Sequence, residues 1–241
     1  MRIFTLNDDK KMIPYNEVVF KLDNKEIDLE VLLEKNPEYF FESHKILMIG
    51  RQVTTNLNSF IDLLGIDKSG NTVVIELKRD KTPRETIAQL LEYASFVDKL
   101  DYDQLNQIFQ KYLNEEKDLE EYHQQYFQTE EQISFNKTSK LVIVAQEISK
   151  EIKQSALYLR GKGIEVFCME FRYFVTKSNE RIISSDFIVG EEEYLRQQVK
   201  SESLPKVNEN EFINNLDSIG KYVFDKILKY CKDNEMIIRW G

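Results

Sequence analysis

The sequence predicts an α/β domain built on a central mixed β-sheet flanked by helices. Three observations predict it. Strand-like runs stand close together at 44–53, 59–67 and 71–78, bounded by turn residues. A long helical pattern follows at 82–100. Strand, helix and strand then alternate over 140–174, the β–α–β order that makes parallel neighbours.

Taken in order, "MRIFTL" and "EVVFKL" read as short strands around a polar loop. "EIDLEVLLEKNPEYFF" reads as a helix with Ile27, Val31 and Leu32 on one face, ended by Asn36-Pro37. The break Asp67-Lys68-Ser69-Gly70-Asn71 fits a type I turn with Gly70 left-handed, a hairpin closure. In the helix 82–100, Thr82 is the expected N-cap, Pro83 the first helical residue, and Glu85 completes a capping box. Its expected apolar stripe is Ile87, Leu90, Leu91, Ala94 and Val97. Residues 101–137 read as an inserted helical pair. "KLVIVAQ" is an apolar strand, 149–163 a helix with a glycine stop, and 164–174 another strand. The expected domain is thus 1–175. After it comes a mainly helical region, 176–241, with a helix and linker over 190–211 and a helix over 211–234. That region reads as the start of, or a linker to, a further domain. The closing "EMIIRWG" is an apolar strand with no room to finish, so the chain is read as stopping inside a longer protein.

Composition narrows the chemistry. Of 241 residues, 41% are hydrophobic, enough for a sizeable core, and the net charge is −9. Net charge therefore does not announce a nucleic-acid binder, although a local basic patch can still serve one. The two cysteines, Cys168 and Cys231, lack metal-ligand spacing. Only two histidines are present, so histidine-based triads and histidine-rich metal sites are nearly excluded. No signal peptide or membrane span is read, and the expected compartment is the cytoplasm. Catalysis is left to carboxylates, lysine and hydroxyls.

Strand alternation supplies the site. In "TVVIELKRD", Val74, Glu76 and Lys78 share one face and Val73, Ile75 and Leu77 the other. With the turn at 68–70, Asp67 faces Asn71, and counting back Asp62 faces Glu76. Opposed carboxylates repel, and a lysine or a divalent cation offsets this. Read alone, Glu76 and Lys78 are a salt bridge in a strand; Asp62 in register changes that balance. Gln89 and Tyr93, four apart on the next helix, stack beside its apolar stripe. Lys78, Arg79, Lys81 and Arg84 cluster where strand becomes helix, with Arg51 and Lys45 on the strand before. Phosphates could meet these groups and the helix N-terminus at Thr82–Arg84.

"IDLLGIDKSGNTVVIELKRD" followed by "QLLEY" resembles the PD-(D/E)XK nuclease superfamily, and most closely the NucS-like endonucleases. Asp62, Glu76, Lys78, Gln89 and Tyr93 match that pattern residue by residue, and Glu30 on the preceding helix, with Glu34 as fallback, matches its further glutamate. The resemblance implies a restriction-endonuclease-like αβββαβαβ core and metal-dependent hydrolysis of DNA leaving a 5′-phosphate. It implies that Asp62, Glu76 and the Leu77 carbonyl hold Mg²⁺ or Mn²⁺. Lys78 would orient or activate water, Glu30 would support a second metal or only the water shell of the first, and Gln89 and Tyr93 would position the scissile strand. Arg51, Arg79, Lys81 and Arg84 are the expected nucleic-acid contacts. Repair, restriction and phage defence all remain open, as does a homodimer. About twenty-nine residues precede Glu30, too few for the N-terminal β-domain of the familiar NucS enzymes, so their branched-DNA or mismatch preference does not carry over. Two rivals stand beside this reading: a non-cleaving nucleic-acid-binding module on the same fold, and a structural salt-bridge network.

Overall fold

Alternating apolar residues make each strand two-faced, and two faces need two layers of helix to cover them. The computed structural model describes residues 3–41, 45–131, 133–176, 178–190, 213 and 216–234. The chain forms β1 (Phe4–Leu6), β2 (Met12–Pro14), β3 (Asn16–Val18), a 3-10 turn at Phe20–Leu22, α1 (Glu26–Lys35) and α2 (Pro37–Phe40). It continues through β4 (Leu47–Thr54), β5 (Phe60–Ile66), β6 (Thr72–Lys81), α3 (Thr86–Val97), α4 (Tyr102–Leu113) and α5 (Leu119–Phe127). Then follow β7 (Ser139–Glu147), α6 (Lys150–Arg160), β8 (Val166–Val175) and β9 (Arg181–Val189).

The main sheet runs β3-β8-β7-β6-β5-β4, with β9 also paired to β8. Pairs β4–β5 and β5–β6 are antiparallel, and β6–β7 and β7–β8 are parallel, so the sheet is mixed as expected. The order α1, β4, β5, β6, α3, β7, α6, β8 is the expected αβββαβαβ core, and α4 and α5 are the inserted pair. On one face Val74, Leu64, Ile143 and Cys168 pack with Leu90 and Val97 of α3 and with α4, α5 and α6. On the other, Leu63, Ile75, Leu77 and Val144 pack with Phe20, Leu29, Leu33 and Phe41. Truncating one of these leucines, such as Leu33→Ala, costs about 2–5 kcal/mol.

Four expectations are corrected. The sheet does not end at 175: β9 pairs with β8 along Cys168–Val175. The turn into β9 is closed by the Thr176 N–H on the Glu180 carbonyl at 3.0 Å, with Asn179 left-handed at φ 65°. Residues 1–194 form one structural unit and 195–241 a second. Helix α7 (Ser218–Asp233) lies in the second, where the long helix was expected. The helix and linker expected over 190–211 and the closing strand at 235–241 lie outside the described residues, apart from Gly190.

Second, the buried face of α1 is Leu29, Glu30 and Leu33, while Ile27 is 51% exposed. A helical period admits neighbouring faces, and the i,i+4 leucine pair is the one that fills the cluster beneath the sheet. Third, Thr82 does not cap α3, which begins at Thr86 without a side-chain cap. Its hydroxyl instead accepts the Ser149 N–H at 2.8 Å and donates to Ser149 Oγ at 3.1 Å, tying the end of β6 to the N-cap of α6. Fourth, Leu91 is exposed, and the buried stripe of α3 is Thr86, Leu90, Tyr93 and Val97. No helix among the described residues is long and apolar enough to cross a membrane.

Candidate active site at the open end of the β5–β6 hairpin

The turn sets the site. Gly70 has φ 85°, a conformation that costs glycine nothing and side-chain-bearing residues more. The Asp67 N–H donates to the Asn71 carbonyl at 2.9 Å. From there the ladder runs Ile66–Thr72, Gly65–Val73, Leu64–Val74 and Leu63–Ile75. One further step places Asp62 opposite Glu76, the register read from the sequence. There the backbone pairing stops. The Leu77 N–H donates to Asp62 Oδ2 at 2.8 Å, so a carboxylate answers it where a strand carbonyl would.

Carboxyl groups converge at this open end. Glu76 is 2% exposed; its Oε1 accepts from the Lys78 ammonium, and its Oε2 has no partner. Burial, then the Asp62 charge, pushes the Glu76 carboxyl up to about 7, against the pull of Lys78. Burial also raises the Asp62 carboxyl, partly offset by the Leu77 N–H and by Lys78. Glu30 is 5% exposed and its Oε2 is likewise unmatched. Burial and the Asp62 charge raise the Glu30 carboxyl, opposed by a hydrogen bond from Gln52 and by Arg51. Burial draws the Lys78 amine downward, but Glu76, Asp62 and Glu26 together outweigh it and raise it. Lys78 is therefore an ammonium here, with Glu26 Oε1 3.9 Å away.

Helix α3 adds Tyr93, which is buried. Burial first, then the charges of Glu76 and Asp62, pushes its hydroxyl up to about 12. Gln89, one turn earlier, is half-buried, and no hydrogen bond among the described residues joins it to the carboxylates. Glu34 stands apart from the site: it holds Arg51 at 2.8 Å and the Tyr112 hydroxyl. Of the two candidate glutamates, Glu30 is the one beside Asp62.

The basic residues are not gathered into a free patch. Arg51 pairs with Glu34, Lys81 with Glu147, and Arg84 with Glu151, while Arg79 donates to the Asn24 carbonyl at 3.2 Å. The expected phosphate seat at Thr82–Arg84 loses its helix end, because α3 starts at Thr86.

Two residues were missed by the sequence reading. The β4–β5 register, Arg51–Leu63 and Val53–Ile61, brackets Gln52 opposite Asp62. Gln52 Nε2 donates to Asp62 Oδ1 at 3.1 Å. Extending the register across the 55–59 turn would have found it. Glu26 depends on where α1 docks, for which the sequence carries no signal.

Among the described residues no group of three or more His, Cys, Asp or Glu side chains forms a ready metal-holding cluster. Mg²⁺ does not need one: it commonly takes one or two carboxylates and keeps several waters. The opposed Asp62 and Glu76, with an unmatched buried oxygen on Glu76, fit such a sparsely liganded ion.

Residues 25–137 match the family model of the endonuclease NucS C-terminal domain. Over 72 residues the chain is 33% identical to the endonuclease NucS of Pyrococcus horikoshii, covering 30% of this chain and 27% of that protein. Over 88 residues it is 32% identical to the endonuclease NucS of Pyrococcus abyssi, covering 33% and 34%. The matched segments thus span about a third or less of either relative. Among solved structures, a repair endonuclease from Pyrococcus abyssi is 20% identical over 60% of this chain and 46% of that one, with a TM-score of 0.35. A complex described as EndoMS-dsDNA2 is 20% identical over 61% and 44%, with a TM-score of 0.36.

Proposed function

The chain carries a NucS-like domain over residues 25–137, and from that premise we propose that it is a metal-dependent endonuclease hydrolysing DNA phosphodiester bonds to leave a 5′-phosphate. One observation carries the reading: the half-buried Asp62 and the buried Glu76 face each other at the point where β5 and β6 part, with the Lys78 ammonium between carboxylates.

Asp62, Glu76 and the Leu77 carbonyl would hold Mg²⁺ or Mn²⁺, with Glu30 adding negative charge behind Asp62. A bound divalent ion lowers the pKa of its water and offsets charge at the phosphate. The protein's own groups do the rest. The Leu77 N–H and Gln52 hold the Asp62 carboxylate in place. Lys78, kept cationic by Glu76, orients the attacking water and stabilises charge building on the phosphate oxygens. Tyr93 stays a neutral phenol at any working pH and so donates a hydrogen bond to a strand oxygen. Gln89, on the same helix, would steady that strand. Arg51, Arg79, Lys81 and Arg84 would contact phosphates after exchanging their present partners.

The test is nicking of supercoiled plasmid and of single-stranded DNA by the purified chain with Mg²⁺ or Mn²⁺. Cleavage is expected with either ion, stopped by a chelator, and lost in folded Glu76→Ala and Lys78→Ala. DNA retardation without cleavage would make the domain a binding module. Neither retardation, cleavage nor a melting shift with Mg²⁺ would leave a structural charge network.

A further inference from the structure

The geometry points to Gln52 as the positioning residue of this site, the neutral donor that fixes the Asp62 carboxylate where it lies beside Glu30; the assignment rests on the nuclease reading above.

Three observations support it. Gln52 lies in cross-strand register with Asp62, which itself lies in register with Glu76, so the three form one polar row across β4, β5 and β6. Gln52 Nε2 donates to Asp62 Oδ1 at 3.1 Å, and the same amide is close enough to Glu30 to oppose the rise of its carboxyl. A primary amide has two N–H groups, so one can serve Asp62 while the other faces the charge of Glu30. An ionised carboxylate only accepts, so neither acid could satisfy the other without a shared proton or a donor between them.

The backbone is also unusual here. Gln52 sits at φ 50°, a left-handed conformation that disfavours a long side chain. It follows a register shift between Met48 and Gly50 in β4. Bulges of this kind re-aim side chains, and strained residues gather at functional sites. Glycine or asparagine would suit the backbone better, but neither reaches Asp62 as glutamine does.

The role predicts two consequences. The amide offsets like-charge repulsion, so its value depends on both acids being present. It also fixes the rotamer of Asp62 before any cation arrives, as supporting hydrogen bonds commonly do around metal ligands.

Gln52→Met keeps the length and the backbone problem but donates nothing. In the full chain at pH 8 its melting temperature is expected to fall by about 2–4 °C. In a Glu30→Gln, Asp62→Asn background the same change should shift melting by less than about 1 °C. Mn²⁺ affinity of Gln52→Met, measured by calorimetry, should fall roughly tenfold, with kcat for nicking reduced and KM for DNA held within about twofold. Gln52→Asn relaxes the backbone yet falls short of the acids, so it should melt no lower than Gln52→Met while showing the same Mn²⁺ loss. Equal melting losses in both backgrounds, or full Mn²⁺ affinity in Gln52→Asn, overturn the role. A wild-type chain that binds no Mn²⁺ and cuts no DNA overturns the metal-dependent reading instead, and the melting cycle still decides Gln52.

Discussion

Hairpin β5–β6 carries buried acid at both ends, and the two ends treat it in opposite ways. At the closed end Asp67, 6% exposed, accepts the N–H groups of Ser69 and Asn71 at 2.9 Å each, Asn71 Nδ2 at 3.2 Å and Lys140 Nζ at 2.9 Å. Even its backbone carbonyl bonds His123 Nε2. At the open end Glu76 accepts, among the described residues, only from Lys78 and keeps one oxygen unmatched, as does Glu30. Burial is the same; the partners differ. An answered buried carboxylate holds a turn together. An unanswered one carries a desolvation cost that only a ligand or a proton relieves, and that is the mark of a site.

The largest effect should separate the ends outright. Glu76→Ala and Lys78→Ala are expected to lower nicking by about 10³-fold or more. Glu76→Ala should leave the fold intact and melt at or above wild type, since it removes an unmatched buried acid. Asp67→Ala should do the reverse. It takes a shared buried acceptor away from the N–H groups of Ser69 and Asn71 and from Lys140 and should cost about 3–5 kcal/mol in urea denaturation, with cleavage per folded molecule preserved. A loss below about 1 kcal/mol in Asp67→Ala would erase the distinction.

A smaller effect is read from pH. The folded Glu76 carboxyl stands near 7 against an ordinary 4.5, so the folded protein keeps a proton that the unfolded chain releases. Its contribution is fully present below about pH 4.5 and is lost as pH rises through 7. A shift of that size corresponds to about 3 kcal/mol. Wild-type stability should therefore decline across this window, and Glu76→Gln should flatten the decline. Mg²⁺ at pH 8 should raise the melting temperature of wild type and not that of Glu76→Gln. Equal slopes in both proteins would mean that Glu76 is already well solvated.

The open end was legible because its causes are local. A tight turn with Gly70 leaves one register, and a slip of one residue would turn every side chain of β6 to the wrong face. Asp62, Glu76 and Lys78 follow from that alone. Gln52 was missed because its register hangs on the 55–59 turn, where Asn58 at φ 60° closes the chain with no glycine to mark it; counted across that turn, Gln52 falls opposite Asp62. The Thr82 cap failed because the competing hydroxyl, Ser149, lies 67 residues away. Strand β9 was hidden because Ser184-Ser185-Asp186 interrupt its apolar residues: it lies on the outer edge of β8, where most of its side chains are exposed or half-buried. The basic cluster was visible, but its neutralising partners Glu34, Glu147 and Glu151 come from other elements that only folding brings near.

That last point gives the smallest and most discriminating expectation. Lys81 and Arg84 lie in open ion pairs, their side chains 58% and 79% exposed. Pairs of this kind are screened and add little to stability, so Lys81→Ala and Arg84→Ala should melt with wild type. A cation that contacts a DNA phosphate reduces the slope of log affinity against log salt by about 0.9 when removed. A cation already held by an acid must first give up that partner, and its removal should change the slope by well under half that value. Glu147→Gln and Glu151→Gln should instead tighten DNA binding about twofold, because each releases its neighbour's charge to the phosphates. A full slope change in Lys81→Ala would show that DNA displaces the acid, and the cluster read from the sequence would then be the working surface after all.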